Sequence, residues 1–209
     1  MADRTFDFDQ VRTAFRYASQ WWRSIVGAVP DEQWERPALG EWSVRELVAH
    51  TSRAYRTIPE YIGGDVKDPT PIATAAEYFR TVLAEDTPHV HIADRGRREA
   101  SLETDWVTAT DRLANEVVKL IDSLPADKDM HLFVGVMPLD QYLVTRVTEL
   151  VVHGLDLAAA IDMQTEPPVE ASRMVADLFL DLAQPRDLSS IIGLLSGRTS
   201  SRPLTNVLD

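Results

Sequence analysis

The stretch RVTELVVHGLDLAAAI, residues 146–161, decides the fold that the sequence predicts. Its apolar residues recur every three or four positions, and this pattern runs from about Pro138 to about Asp162, so it predicts one long helix. On a helical projection the apolar side chains cover about twice the arc of about 100° that a surface helix needs. Most of this helix is therefore expected to be buried.

The rest of the projection is a narrow polar arc, which is either a solvent face or the lining of an interior cavity. Periodicity alone favours the solvent face. Glu149 and His153 are four residues apart, so their side chains stand one above the other and can bind one cation if another helix supplies a third ligand. The arc consists of Tyr142, Thr145, Arg146, Glu149, His153 and Asp156.

The other helices follow from the same periodicity. Helices of bundle length are predicted at Phe8 to Val29, Val44 to Ile62 and Leu102 to Leu124, a short helix at Ala73 to Ala84, and two amphipathic segments at Val169 to Ala183 and Leu188 to Leu195. We find no alternating strand pattern in residues 8–162. The prediction is an all-α four-helix bundle (residues 1–165) with a long crossover between its second and third helices, plus a short helical C-terminal extension (166–209) packed on it.

The second bundle helix has a well-marked start. Ser43 can cap the amide of Glu46 while Glu46 reaches back to Ser43, and Trp42 can pack on Leu47 as a hydrophobic staple. His50, on this helix, lies at the edge of the apolar arc and is the only other histidine on a strongly predicted helix. The histidines in predicted loops are His89, His91 and His131, of which the first two form at best a weak chelating pair.

Composition excludes several classes of function. The net charge of −12 is spread along the chain, so nucleic acid and anionic membranes are not expected partners. The absence of cysteine excludes disulfides, thiolate ligands and a cysteine nucleophile. With no 18-residue apolar stretch and no signal-peptide pattern, we expect a cytoplasmic protein. The sequence leaves the oligomeric state open, a homodimer included.

Two segments, WSVRELVAH (residues 42–50) and RVTELVVHGLDLA (146–158), resemble the N-terminal domain of mycothiol-dependent maleylpyruvate isomerases, a branch of the DinB-like metalloenzyme superfamily. The resemblance covers roughly residues 8–162. It implies a DinB-like four-helix bundle and a divalent metal, usually zinc, bound by His50, Glu149 and His153. Arg146, Gly154 and Asp156 also match the family pattern R-x-x-E-x-x-x-H-G-x-D. The resemblance therefore favours a polar arc that faces inward.

The resemblance also implies the chemistry. Two histidines and one carboxylate leave a position on zinc open, which is typical of a catalytic site. Mycothiol, or a related low-molecular-weight thiol, would bind there and attack a small electrophilic substrate, in an isomerase or an S-transferase. The alternatives are a metal-water hydrolase on the same ligands and a non-catalytic bundle that binds a metal or ligand.

Arg146 and Asp156 are the candidate catalytic residues beside the metal ligands. Arg146 either orients Glu149, which we favour, or binds a carboxylate of the substrate. Asp156 either accepts a hydrogen bond from a histidine N–H or is solvated, and the sequence does not separate these roles.

Overall fold

A computed structural model of the protein describes residues 3–64, 69–84 and 98–198. This part of the chain is mainly helical, so the predicted all-α fold is confirmed. The helices are α1 (Phe8–Val26), α2 (Val44–Thr51), α3 (Arg53–Ile62), α4 (Ala75–Ala84), α5 (Trp106–Asp122), α6 (Leu139–Ala160), α7 (Val169–Leu182) and α8 (Pro185–Leu195), with a short 3₁₀ turn at Asp31–Gln33. Two antiparallel hairpins pair β1 (Pro37–Leu39) with β2 (Trp42–Ser43) and β3 (Asp129–Leu132) with β4 (Gly135–Pro138).

Four helical rods form the bundle: α1, the α2–α3 pair, α5 and α6. α1 packs against α5 and α6, and the α2–α3 pair packs against the same two helices on the opposite side. α4 and α7 lie outside this set and contact α6 and each other. The largest fully buried side chains include Phe15, Trp22, Leu47, Tyr55, Ile58, Trp106, Ile121 and Tyr142, and they belong to one continuous core.

The burial of residues on α6 distinguishes the two interpretations of its polar arc. Of its 22 residues, 14 are buried, and these include Tyr142, Thr145 and Arg146 from the arc. Arg146 is only 6% exposed. The arc therefore faces the interior of the protein, and periodicity alone favoured the wrong alternative.

The second predicted helix is interrupted at Ser52, between α2 and α3. The Thr51 hydroxyl donates to the carbonyl of Leu47 at 2.8 Å, and the Ser52 hydroxyl donates to that of Ala49 at 2.6 Å. In a regular helix these carbonyls accept hydrogen bonds from backbone amides, and side-chain hydroxyls that bond to them can bend the helix. The predicted single helix is thus correct in extent but wrong in continuity.

The β3–β4 hairpin was not predicted, and His131 lies on β3 rather than in a loop. Met130 and Leu132 are buried while Asp129 is exposed, which is the alternation of a half-buried strand. The turn carries Gly135 at φ +150°, where an added Cβ would lie 2.2 Å from the carbonyl oxygen of Thr70. Four residues with this alternation were too few to stand out from the surrounding sequence.

The helix α7 packs directly on the bundle, against α1 and α6. Its buried residues Ala171, Met174, Val175 and Leu178 join the same core as the bundle helices. The division into a bundle and an extension at residue 165 stays a prediction.

Within the described ranges, no helix has both the length and the apolarity that crossing a lipid bilayer requires.

Candidate metal centre

Three side chains from two helices meet at one point inside the bundle. His50 comes from the last turn of α2, and Glu149 and His153 come from successive turns of α6. One ligand atom from each lies within 4.8 Å of the other two. Oε2 of Glu149 is 3.3 Å from Nε2 of His153 and 3.9 Å from Nε2 of His50. The structure thus brings together the three residues that the sequence proposed as ligands.

The position of His50 depends on how α2 begins. The predicted capping box is present: the Ser43 hydroxyl accepts from the Glu46 amide at 3.3 Å, and Glu46 accepts from the Ser43 amide at 2.8 Å. This box fixes the first turn of α2 and therefore the direction in which the residue two turns later points. His50 then faces α6, against which α2 packs.

Asp156 orients the imidazole of His153. Its Oδ2 lies 3.1 Å from Nδ1 of His153, one turn further along α6. A carboxylate can only accept here, so Nδ1 carries the hydrogen and Nε2 is the atom left for a metal. That same Nε2 faces Glu149. Of the two roles proposed for Asp156, the geometry fits the acceptor of a histidine N–H.

Arg146 lies beside Glu149 in the buried part of the polar arc. Its Nη2 is 3.8 Å from Oε1 of Glu149, and its Nε donates to the hydroxyl of Thr145 at 3.0 Å. The guanidinium carbon lies 4.8 Å from the centre of the Tyr142 ring, a cation–π distance. These contacts fit the favoured role of Arg146, a fixed positive charge next to Glu149.

The electrostatics of the cluster hold both partners in their charged forms. Burial alone would raise the pKa of Glu149, but the adjacent His153 and Arg146 outweigh it and bring the pKa well below its usual range. Burial alone would lower the pKa of His153, but Asp156 and Glu149 outweigh it and raise the pKa to about 9. Without a metal, the cluster is therefore a Glu149 carboxylate paired with a His153 imidazolium.

Aromatic and hydroxyl groups pack around Arg146, next to the ligands. The Tyr142 hydroxyl donates to the hydroxyl of Thr57 at 2.6 Å, and its ring meets that of Tyr61 with centroids 5.7 Å apart. Burial raises the pKa of Tyr142, so this phenol stays neutral at ordinary pH. Sequence analysis placed Tyr142 in the polar arc, and the periodicity of the second predicted helix places Thr57 and Tyr61 on the same face as His50, although it gave them no role.

Trp42 also belongs to the site, which the sequence did not indicate. Its ring lies against the imidazole of His50, with centroids 4.5 Å apart and the planes inclined by 37°. The predicted packing partner was Leu47. The sequence carries no local signal for this contact, because it depends on how the β1–β2 hairpin is placed against α2.

The remaining histidines do not join the cluster in the part of the chain that is described. His131 lies on β3, where its Cβ approaches Gly64. His89 and His91, the predicted weak chelating pair, lie outside the described residues.

The donor set fits a divalent metal of the zinc type. Two imidazole nitrogens and one carboxylate oxygen are a set of three protein ligands typical of a catalytic zinc site, in which the fourth position is left for another molecule. The ligand side chains are between 15% and 26% exposed, so a small molecule can reach them. Asp156 supplies the second hydrogen bond that ligating histidines usually make.

Comparison with known families gives one match that covers most of the chain. The family described as the mycothiol maleylpyruvate isomerase N-terminal domain matches residues 15–158. The matched range contains all three residues of the cluster together with Arg146 and Asp156. No curated protein and no solved structure has a significant match to the chain.

Proposed function

The chain belongs to the mycothiol maleylpyruvate isomerase N-terminal domain family, and from this premise we propose that it is a metal-dependent, thiol-dependent enzyme acting on a small electrophile. The thiol is mycothiol or a related low-molecular-weight thiol. The reaction is an isomerisation, in which the thiol adds to the substrate and leaves again, or an S-transfer, in which the adduct is released.

The observation that carries this proposal is the convergence of His50, Glu149 and His153 within 4.8 Å inside the range that matches the family. The ligands come from two helices far apart in sequence, and two of them are one turn apart on α6. A chance surface cluster of acidic residues would lack the two partly buried imidazoles.

In this proposal His50, Glu149 and His153 hold a divalent metal, with zinc the expected ion. When bound, such an ion supplies Lewis acidity that lowers the pKa of a thiol and presents it as a thiolate. Asp156 keeps the hydrogen of His153 on Nδ1, so that Nε2 remains a ligand. Arg146 keeps Glu149 ionised and fixes its position.

The sulfur must come from outside the chain, because the sequence contains no cysteine. The family match, whose description names mycothiol, favours the thiol-dependent reaction over the metal-water hydrolase.

The test is turnover of an electrophile by the zinc-loaded protein with and without mycothiol. Maleylpyruvate tests isomerisation, and a fluorogenic alkylating reagent tests transfer. We expect turnover only when both zinc and thiol are present. In an isomerisation the free thiol is conserved, whereas in a transfer one thiol is consumed for each product molecule.

Two outcomes would overturn the proposal. Turnover with zinc but without thiol would assign the site to a hydrolase. Zinc binding with no turnover of either electrophile in the presence of thiol would assign it to a binding protein.

A further inference from the structure

The indole of Trp42 and the imidazole of His50 form a stacked pair at the edge of the cluster. Their centroids are 4.5 Å apart and their planes are inclined by 37°. The His50 ring also lies 5.3 Å from the ring of His153, with the planes at 84°. The ring of His50 therefore contacts both an indole and a second imidazole.

The backbone around Trp42 is held in place by several contacts. Trp42 pairs with Leu39 across the β1–β2 hairpin and directly precedes Ser43, the N-cap of α2. The hairpin segment also bonds to the start of α2, because the amides of Val44 and Arg45 donate to the carbonyls of Arg36 and Trp34, each at 2.9 Å. The backbone at Trp42 is therefore fixed relative to the first turn of α2.

The indole N–H of Trp42 makes no hydrogen bond within the described part of the chain, although Nε1 is buried. The ring face toward His50 is what the side chain contributes.

The two histidines are oriented in different ways. His153 is held at Nδ1 by the carboxylate of Asp156 at 3.1 Å. The His50 ring packs against the indole of Trp42, and its Nε2 lies 3.9 Å from Oε2 of Glu149. An imidazole packed against a flat ring is hindered from rotating about its Cβ–Cγ bond, since rotation would drive its edge into the indole.

We propose that Trp42 is a positioning residue of the metal centre, whose indole face fixes the His50 imidazole with Nε2 directed at the ligand cluster. The inference rests on the proposed function in that His50 is taken as a metal ligand. In this role Trp42 is not itself a ligand and acts through the His50 ring that it contacts.

The test compares Trp42→Leu and Trp42→Phe with the control Trp34→Leu. Trp34 is a half-buried tryptophan of the same segment that packs on Arg45 rather than on a ligand. We expect Trp42→Leu to weaken zinc binding by about 10- to 100-fold, the effect of losing a residue that orients a ligand. It should also alter the visible spectrum of the cobalt-substituted protein. Trp42→Phe should keep most of the wild-type zinc affinity and cobalt spectrum. Trp34→Leu should change neither the affinity nor the spectrum.

Zinc affinity is measured by competition with a chromophoric chelator, alongside thermal melts of each metal-free variant. Equal zinc affinity and equal cobalt spectra in Trp42→Leu and Trp34→Leu would overturn the proposal. So would a failure of Trp42→Phe to recover affinity.

A second measurement needs no variant and therefore does not depend on folding of Trp42→Leu. In the metal-free wild type, the His50 ring protons should show an upfield ring-current shift in the NMR spectrum, because they lie near the indole face. Shifts at ordinary values would overturn the inference. If the wild type binds no zinc, the proposed function fails, and this NMR measurement still decides whether the ring is held by Trp42.

Discussion

His153 and Gly154 are adjacent on α6, yet they serve two different regions of the molecule. His153 belongs to the polar cluster, where Glu149 and Asp156 contact its two ring nitrogens. Gly154 faces α1, where an added Cβ would lie 2.2 Å from Cζ3 of Trp21. One side of the helix carries charges and candidate metal ligands, and the other side is a close helix–helix contact.

The comparison explains why both residues occur in the same short motif. Trp21 packs against α6 where that helix has no side chain, and its Nε1 donates to the hydroxyl of Thr165 at 2.9 Å. This contact sets the distance and rotation of α6 relative to α1. Rotation of α6 in turn decides whether Glu149 and His153 point toward His50. Gly154 thus supports the site through packing, without touching it.

The largest effect is expected on zinc affinity, from substitutions on the polar side of α6. Glu149→Gln keeps the size of the side chain but removes the charge that draws a cation between the two histidines. We expect zinc affinity to fall by more than about 100-fold, beyond the loss seen for residues that only orient ligands. His153→Ala and His50→Ala should act in the same direction. Metal content after reconstitution and competition titrations measure this.

The matched control is His131→Ala, which removes a half-buried histidine on β3 that lies outside the cluster. It should leave one zinc per chain. Loss of zinc from the His131 variant, or retention of full affinity by Glu149→Gln, would show that the metal binds elsewhere.

A smaller effect, and on stability rather than metal binding, is expected on the packing side. Alanine normally stabilises a helix relative to glycine by about 1 kcal/mol, so Gly154→Ala would be favourable if there were space. The Trp21 ring occupies that space, and we expect a net loss of about 1–3 kcal/mol, the usual cost of overpacking a core. Denaturant unfolding of the metal-free protein measures the change.

Two comparisons make this prediction specific. Gly63→Ala is the control, because its added Cβ would meet the nearest atom, the carbonyl oxygen of Pro59, at an ordinary 3.9 Å. In the double variant Trp21→Phe/Gly154→Ala the smaller ring should relieve part of the clash, giving less than additive destabilisation. Additive losses would mean that Trp21 is not the obstacle.

Sequence reasoning predicted the helices because their periodicity is a repeated signal over many residues. It could not decide the direction of the α6 polar arc, since a polar stripe next to a cavity and one next to water have the same pattern. The family resemblance gave the inward direction, and the burial of Arg146 agrees with it. The role of Gly154 was not predictable, because a motif does not say which helix its glycine contacts.

The features that the sequence missed depend on contacts between distant segments. The β3–β4 hairpin has only four residues in each strand, and its turn glycine is needed because Thr70 approaches it closely. Trp42 was assigned to packing because a tryptophan before an N-cap usually has an apolar partner. That its ring contacts His50 follows only from the relative placement of the hairpin and α2.

The effect of pH should also differ between the two faces of α6. The pKa of His153 is raised from 6.5 to about 9 in the metal-free fold. A raised pKa means that the charged pair with Glu149 stabilises the fold fully below pH 6.5, and that this contribution is lost as the pH rises through about 9. The clash in Gly154→Ala involves no titrating group, so the stability difference between that variant and the wild type should stay constant over this range.

Metal binding should have the opposite pH dependence to the stability of the metal-free fold. A metal must displace the proton on Nε2 of His153, so zinc affinity should rise about tenfold per pH unit from pH 7 and level off near the pKa of about 9. Asp156→Asn removes a group that raises the pKa of His153, so in this variant the zinc affinity should stop rising at a lower pH. Zinc titrations between pH 6.5 and 9.5, with proton release followed in weak buffer, measure both. An affinity that is flat from pH 7 to 9 in the wild type would mean that His153 is not protonated in the metal-free site, and that Glu149 is held by Arg146 alone.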